Sequence, residues 1–270
     1  MSISVLQSVY NNDEPSYLDQ ALESLYSQTL KADEIIIVED GVVNNQLKLV
    51  IKKWKEKLPL KIVGYENNYG LAYAMNYGLQ FVTSDYVARM DSDDICCPER
   101  FEKQIELFNK YPEIVICGSG ISEFYEDKTS GSIRLYPCVT DKKSKKLFKG
   151  TPLAHPTVMI RTDILKKYKY NDKLKKSQDI DLWFRLLCDG YIIRTIQEPL
   201  LYFRITDATF KRRNISKAFV EFNIYVKYLF RLFGINWRFF FPVARLCSRL
   251  LPTALIKKLY FLPVRQRLLK

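Results

Sequence analysis

Asp91-Ser92-Asp93-Asp94 places three carboxylates within four residues, enough to hold a hard divalent cation. In an Asp-x-Asp arrangement one carboxylate can ligate the ion while the other reaches a ribose or a metal-bound water. An ion held this way keeps positions open for phosphate oxygens and offsets the charge that builds on a leaving group. The same residues follow a strand-like run and precede Pro98, so acidic capping of a helix is the competing reading. Asp179 opens a helical segment; it can take a proton from a hydroxyl or simply favour a helix N-terminus. Asp40, at the turn Asp40-Gly41, has the same two readings, ligand contact or strand-end turn. His155, the only histidine, stands between Ala154 and Pro156 and is open to structural and ligand roles. The six cysteines show no Cys-x-x-Cys spacing and read as reduced thiols in or near the core; with a single histidine a His/Cys zinc site is not available, and any metal is expected to be Mn2+ or Mg2+ bound by oxygen.

The elements that must position these groups alternate. Ser4 to Tyr10 reads as a strand ending at Asn11-Asn12, followed after Pro15 by an amphipathic helix with Leu18, Leu22 and Leu25 on one face. Glu34-Ile35-Ile36-Ile37-Val38 is a continuous apolar strand of the kind buried in a parallel sheet, followed by a helix to about Lys57. Lys61 to Tyr65 is a third strand, Leu71 to Phe81 a third helix, and Tyr86-Val87-Ala88 a fourth strand running into Arg89 and the acidic turn. Farther on, the pattern predicts a helix from Pro98 to Tyr111, strands near Ile114 to Cys117 and Thr157 to Ile160, and a helix from about Gln178 to Cys188. Alternating strands and helices predict an α/β fold with right-handed crossovers. Ligands in such sheets bind at the carboxyl ends of the strands, where Asn11, Asp40, Asn67-Asn68 and Asp91 to Asp94 fall.

Read in order, the motifs resemble family 2 glycosyltransferases of the GT-A fold. They are Ser8-Val9-Tyr10-Asn11, Glu39-Asp40-Gly41, Asn68-Tyr69-Gly70-Leu71-Ala72, Arg89-Met90-Asp91-Ser92-Asp93-Asp94, His155-Pro156-Thr157-Val158-Met159 and Gln178-Asp179-Ile180-Asp181-Leu182-Trp183. The likeness is greatest to transferases that build bacterial surface polysaccharides such as O-antigen. The resemblance implies a Rossmann-like domain over residues 1–213, with a nucleotide-sugar half (1–94) and an acceptor half (95–213). It implies that Tyr10, Asp40, Asn68, Arg89, Asp91 and Arg204 bind a nucleotide-sugar of UDP type, and that Asp93 and Asp91 hold the metal. Asp179 would be the general base of an inverting displacement, with His155, Asp181 and Arg212 at the margin of the site. The family usually carries Glu-Asp where this chain has Gln178-Asp179, so the neighbouring carboxylate is missing. Many relatives carry a histidine soon after the arginine at 204, whereas this chain has Thr206-Asp207. Arg204 and Lys211-Arg212-Arg213 are expected after the last core strand, on a basic loop able to close over a diphosphate.

Charge is distributed unevenly. From Asn214 to Lys270 eleven Lys and Arg face Glu221 alone, so this segment carries ten of the twelve net positive charges. Its bases alternate with Tyr225, Phe230, Trp237 and Phe239 to Phe241, as in helices that lie on an anionic leaflet; packing on the core or on a partner is the competing reading. No uninterrupted run approaches the roughly 18 apolar residues of a spanning helix, and the N-terminus lacks a signal-peptide pattern. The expectation is a cytoplasmic enzyme, peripheral on the inner face of the cell membrane, acting on a glycan or polyprenyl-diphosphate-linked acceptor. No nucleic-acid motif is present and no nucleic-acid partner is expected. Two rival readings are a non-catalytic transferase-like protein docking through its basic tail, and a nucleotidyltransferase. The latter would place a Gly-rich basic loop after the first strand, where Tyr10-Asn11-Asn12-Asp13-Glu14 stands.

Overall fold

A strand apolar at every position must be covered on both faces. β2 (Glu34–Asp40) is covered in this way in the computed structural model, which describes residues 1–125, 130–144, 147, 150–206 and 215–249. Ile36 and Val38 point into one core, Ile35 and Ile37 into the other. The same alternation divides β1 (Ile3–Val9), with Leu6 on the first side and Val5 and Val9 on the second. Each fully buried Leu, Ile or Val contributes roughly 1.5–3 kcal/mol, so these two strands anchor both layers.

Around them the sheet runs β3-β2-β1-β4-β9-β6-β10-β5, with β3 (Leu60–Tyr65), β4 (Tyr86–Met90), β5 (Ile95–Cys96), β6 (Ile116–Tyr125), β9 (Met159–Arg161) and β10 (Ile193–Ile205). β7 (Ser130–Arg134) pairs with β6 and β8 (Val139–Thr140) with β10. The β3-β2-β1-β4 half is parallel; β9 is antiparallel to both of its neighbours, β4 and β6, and joins the two halves. Helices α1 (Pro15–Tyr26), α2 (Asn45–Lys55) and α4 (Arg100–Lys110) cover one face. The other face is covered by α3 (Leu71–Gly78), α5 (Thr162–Tyr168), α6 (Gln178–Cys188) and α7 (Ile215–Phe233). α8 (Phe240–Arg249) packs on α7. The expected α/β architecture is thus present, and α6 has the bounds read from the sequence.

Three expectations need correction. The helix expected from Pro98 begins at Arg100, with Glu99 at its N-cap position, so Asp94 lies too far upstream to cap it. Arg204 does not follow the last strand on a loop: it lies inside β10, which runs on through Pro199 by way of register shifts on both sides of that proline. The cysteines are unpaired thiols, but only Cys96, Cys97 and Cys117 are buried, while Cys138 and Cys247 are exposed. Among the described residues no helix is long and apolar enough to cross a membrane.

Candidate active site

Four strand ends deliver the site. At the end of β4, Arg89 is almost fully buried and grips Asp91 through both guanidinium nitrogens Nη1 and Nη2. This bidentate geometry holds the turn before any ligand arrives. Burial works against the charge of Arg89, but the Asp91 carboxylate more than offsets it and holds the pKa above its ordinary value. Gln7, buried on β1, donates from Nε2 to the Asp91 carbonyl at 3.1 Å. Arg100, fully buried on α4, donates from Nη2 to the Arg89 carbonyl at 2.8 Å. Backbone and side chain of the turn are therefore fixed from behind by residues of three elements.

Asp91, Asp93 and Asp94 each offer a carboxylate oxygen within 4.8 Å of the others. Asp94 is only 1% exposed; its Oδ1 accepts from the Arg204 amide at 3.0 Å and its Oδ2 is buried with no hydrogen-bond partner. Burial, then the charges of Asp93 and Asp91, raise its pKa well above the usual carboxylate range. A fourth acid joins them that the motifs do not single out. Asp13, on the loop after β1, accepts at Oδ2 from Ser92 Oγ at 2.8 Å and from the Tyr10 amide at 3.1 Å. Burial lifts its pKa to about 7 against the hydrogen bonds from Ser92 and Tyr10, with Asp93 and Asp91 adding to the rise. Carboxyls gathered this closely repel one another without a cation, and hard oxygen donors of this kind suit Mg2+ or Mn2+. The residues present fit such an ion.

Asp13 yields a pH prediction. Its folded pKa of about 7 exceeds its ordinary value of 3.8, so the contribution to stability is complete below about pH 4 and is lost as pH rises towards 7. With chelator present, Asp13→Asn is expected to remove a fall in unfolding free energy of at most about 4 kcal/mol between pH 4 and 7, taking 1.36 kcal/mol per unit. Urea titrations at pH 4, 5.5 and 7 measure this difference; equal pH slopes for variant and native chain would contradict it.

Arg204, expected at a diphosphate, serves the turn from beneath. Its Nε donates to the Asp93 carbonyl at 2.8 Å and its Nη2 to Gln20 Oε1 at 2.9 Å, and its guanidinium lies 4.0 Å from the Tyr17 ring centre and 4.5 Å from that of Phe124. It is 5% exposed, so its donors face protein groups. Arg212 lies outside the described residues.

At the end of β2, the Asp40 carboxylate organises the loop before α3. It accepts from Tyr65 Oη (3.0 Å), the Tyr69 amide (2.8 Å) and the Gly70 amide (3.0 Å), while Asn68 Nδ2 donates to the Asp40 carbonyl at 3.1 Å. Gly41, at φ +86°, lets this loop close in, since a Cβ there would stand 2.9 Å from the Asn68 amide nitrogen. Oδ1 takes most of these bonds, and Tyr10 and Asn68 line the same end of the sheet.

Asp179 sits in the first turn of α6. Burial raises its pKa above the ordinary value; the Ile180 amide, Lys217 and Arg89 oppose the rise and Glu221 adds to it. A carboxylate lifted in this way is a stronger base than a solvated one. Burial raises the pKa of the Tyr170 phenol; Arg89 opposes the rise, and the charges of Asp179 and Asp91 both add to it. Tyr170 Oη is 2.9 Å from His155 Nε2. Burial and then Arg89 push His155 well below its usual pKa, so it is neutral at pH 7. The acidic group with metal-holding geometry does not include His155, whose ring packs against Tyr170 and Trp183. Asp181 does not face the site: two positions along the helix from Asp179, it points into the α6–α7 interface, accepting from Tyr228 Oη (2.7 Å) and Arg185 Nε (2.8 Å). Tyr170 and Asp13 escaped the sequence reading because neither belongs to a motif, although Asp13 lies just beyond the first strand end, where polar groups are expected.

Comparison with known proteins decides the family. Residues 4–169 match the family model described as glycosyl transferase family 2. The chain belongs to glycosyl transferase family 2. This transferase is 38% identical over 260 residues to the amylovoran biosynthesis glycosyltransferase AmsE of Erwinia amylovora, covering 95% of this chain and 97% of that one. It is 32% identical over 274 residues to the UDP-Gal:alpha-D-GlcNAc-diphosphoundecaprenol beta-1,3-galactosyltransferase of Escherichia coli, covering 97% and 96%. Among solved structures, the mannosyltransferase PcManGT of Pyrobaculum calidifontis, in complex with GDP-Man and Mn2+, superposes with a TM-score of 0.61 at 15% identity, over 95% of this chain and 78% of that one. The family 2 transferase therefore has the GT-A fold and transfers sugars, as the ordered motifs imply.

Proposed function

We propose that this transferase moves a sugar from a UDP-sugar to a polyprenyl-diphosphate-linked glycan, with inversion, in the building of a bacterial surface polysaccharide. The observation that carries the reading is the acidic group at the end of β4, whose Asp91 acts electrostatically on the same Tyr170 phenol as Asp179 at the start of α6. Asp91 and Asp93 are assigned to Mn2+ or Mg2+; when bound, the ion supplies charge that stabilises the departing diphosphate. Tyr10, Asp40 and Asn68 are assigned to the nucleoside end. Asp179 takes the proton from the acceptor hydroxyl as that oxygen attacks the anomeric carbon from the side opposite the diphosphate. A single displacement of this kind inverts the anomeric centre. The full-length likeness to the Escherichia coli enzyme, whose name gives a UDP-sugar donor and a diphospholipid acceptor, supports the substrate class. The test is a panel of nucleotide-sugars offered with Mn2+ or with chelator, scoring nucleotide release and the anomeric configuration of the product. Metal-dependent release from a UDP-sugar is expected, and no metal-dependent turnover of any donor would overturn the reading.

The same acceptor would hold the enzyme at a membrane. Around the α7–α8 turn, Phe230, Ile235, Trp237, Phe240 and Val243 are exposed, the most open being Ile235 at 88%. Arg238 stacks on Phe233, and the segment is strongly basic. An apolar tip ringed by bases suits an anionic bilayer surface. Sedimentation with vesicles containing about one-third anionic lipid is expected to carry down the native chain, and a Trp237→Ser/Phe240→Ser double variant much less, by about tenfold in partition at ~0.8 kcal/mol per buried methylene.

A further inference from the structure

The first turn of α6 is held from the C-terminal segment at three points around Asp179. Lys176 Nζ donates to Ser216 Oγ at 3.0 Å, Ser177 Oγ to Glu221 Oε1 at 3.4 Å, and Tyr228 Oη to Asp181 Oδ1 at 2.7 Å. All three partners lie on α7. Glu221 is 4% exposed and its Oε2 lies 3.2 Å from Arg245 Nη2 of α8, while Arg245 Nη1 donates to Tyr225 Oη at 3.5 Å. Behind these contacts, Phe184 of α6 stacks on Tyr228 with ring centres 5.3 Å apart and meets Tyr225 edge-on. Ser177, the residue that α7 grips, is one of two described non-glycine residues in the left-handed region, at φ 59° and ψ 26°. A left-handed serine persists only where its surroundings impose it. Here a buried carboxylate from a helix some forty residues farther along the chain accepts a hydrogen bond from its hydroxyl.

We propose that α7 and α8 splint the catalytic base, with Glu221 and Tyr228 as positioning residues that fix where α6 carries Asp179. The inference rests on the reading of Asp179 as the base. It gives the basic aromatic segment a part in turnover as well as any part at the membrane. Small displacements of a proton acceptor cost rate steeply, because the transferred proton must be met within hydrogen-bond reach.

The groups facing Asp179 are Lys217 and Glu221 from α7, Arg89 from β4 and Tyr170 from the segment after α5. Removing the Glu221 charge leaves Lys217 and Arg89 in place, so Asp179 becomes easier to ionise. In the full chain, with Mn2+ and the UDP-sugar selected by the donor panel, Glu221→Gln is expected to lower kcat about tenfold with donor KM within about twofold of native. The acid limb of its kcat–pH profile should move to lower pH. Tyr228→Phe keeps the ring packing and loses the Asp181 bond; kcat is expected to fall about threefold, with the acid limb unmoved. A purely structural role would lower the melting temperature of both variants and leave kcat and the pH limb unchanged well below it. Native kcat in both variants, with Asp179→Asn inactive, would overturn the splint and leave the base intact. Native turnover in Asp179→Asn would overturn the base, and the splint with it; so would a native chain that turns over no donor. If Glu221→Gln does not fold, Tyr228→Phe alone decides.

Discussion

Asp179→Asn is expected to lower turnover about 10³-fold while Mn2+ and UDP bind as in the native chain, since a positioned general base contributes about 10²–10⁴. The change is nearly isosteric and keeps the Ile180 amide supplied with an acceptor. Asparagine cannot take the acceptor's proton, so the loss should fall on kcat and spare donor KM. The acid limb of the pH profile should vanish with the group that produces it. Stability should rise, because Asp179 is a half-buried carboxyl whose charge desolvation disfavours. Steady-state rates and a calorimetric titration of UDP with Mn2+ measure both halves. A variant with native kcat would remove Asp179 from the chemistry.

Asp93→Ala should fail in a different place. Its expected effect is a loss of at least about 10²-fold in Mn2+-dependent UDP affinity, with turnover falling accordingly, since a ligating carboxylate is removed. The backbone is spared: Arg204 grips the Asp93 carbonyl, which alanine retains. Taking one negative charge from beside Asp94 and Asp13 should make both easier to ionise, as Asp93 contributes to raising each. The metal-free variant is therefore expected to be more stable than the native chain near pH 7, a loss of function combined with a gain in stability. Thermal unfolding with chelator measures the gain. Unchanged metal-dependent UDP affinity would move the ligand role from Asp93 to its neighbours.

The N-terminal, parallel half of the fold was legible because its signals are local. An apolar run such as Ile35 to Val38 can only be a strand covered twice, and the turn residues after each such run mark the end of the sheet where ligands bind. The first turn and last residue of α6 were legible from its helical period. What escaped was set by contacts distant in sequence. Pro199 reads as a strand breaker, yet β10 passes it through irregular register, which carries Arg204 into the sheet. Asp94 looks like a helix cap because capping acts over a few residues, whereas its observed partner is an amide 110 positions away. Asp181 was within reach: two steps along a helix turn a side chain to the far face, and that periodicity separates it from Asp179. Asp13 and Tyr170 belong to no motif, and only folding brings them beside the acids.

The bond from Arg204 to the Asp93 carbonyl spans 111 positions, and this sets an order of maturation during synthesis. A nascent chain that has left the ribosome through residue 94 already carries Asp13, Asp91, Asp93 and Asp94 but lacks β10, the strand that closes behind them. Until β10 has docked alongside β6, the Asp93 carbonyl and the Asp94 carboxylate lack the partners that Arg204 supplies, and only Arg89 and Gln7 hold the turn. The acidic turn is thus expected to be completed late, after most of the chain has been made. A truncated product ending before β10 would therefore carry every acid of the motif without the Arg204 bonds to Asp93 and Asp94.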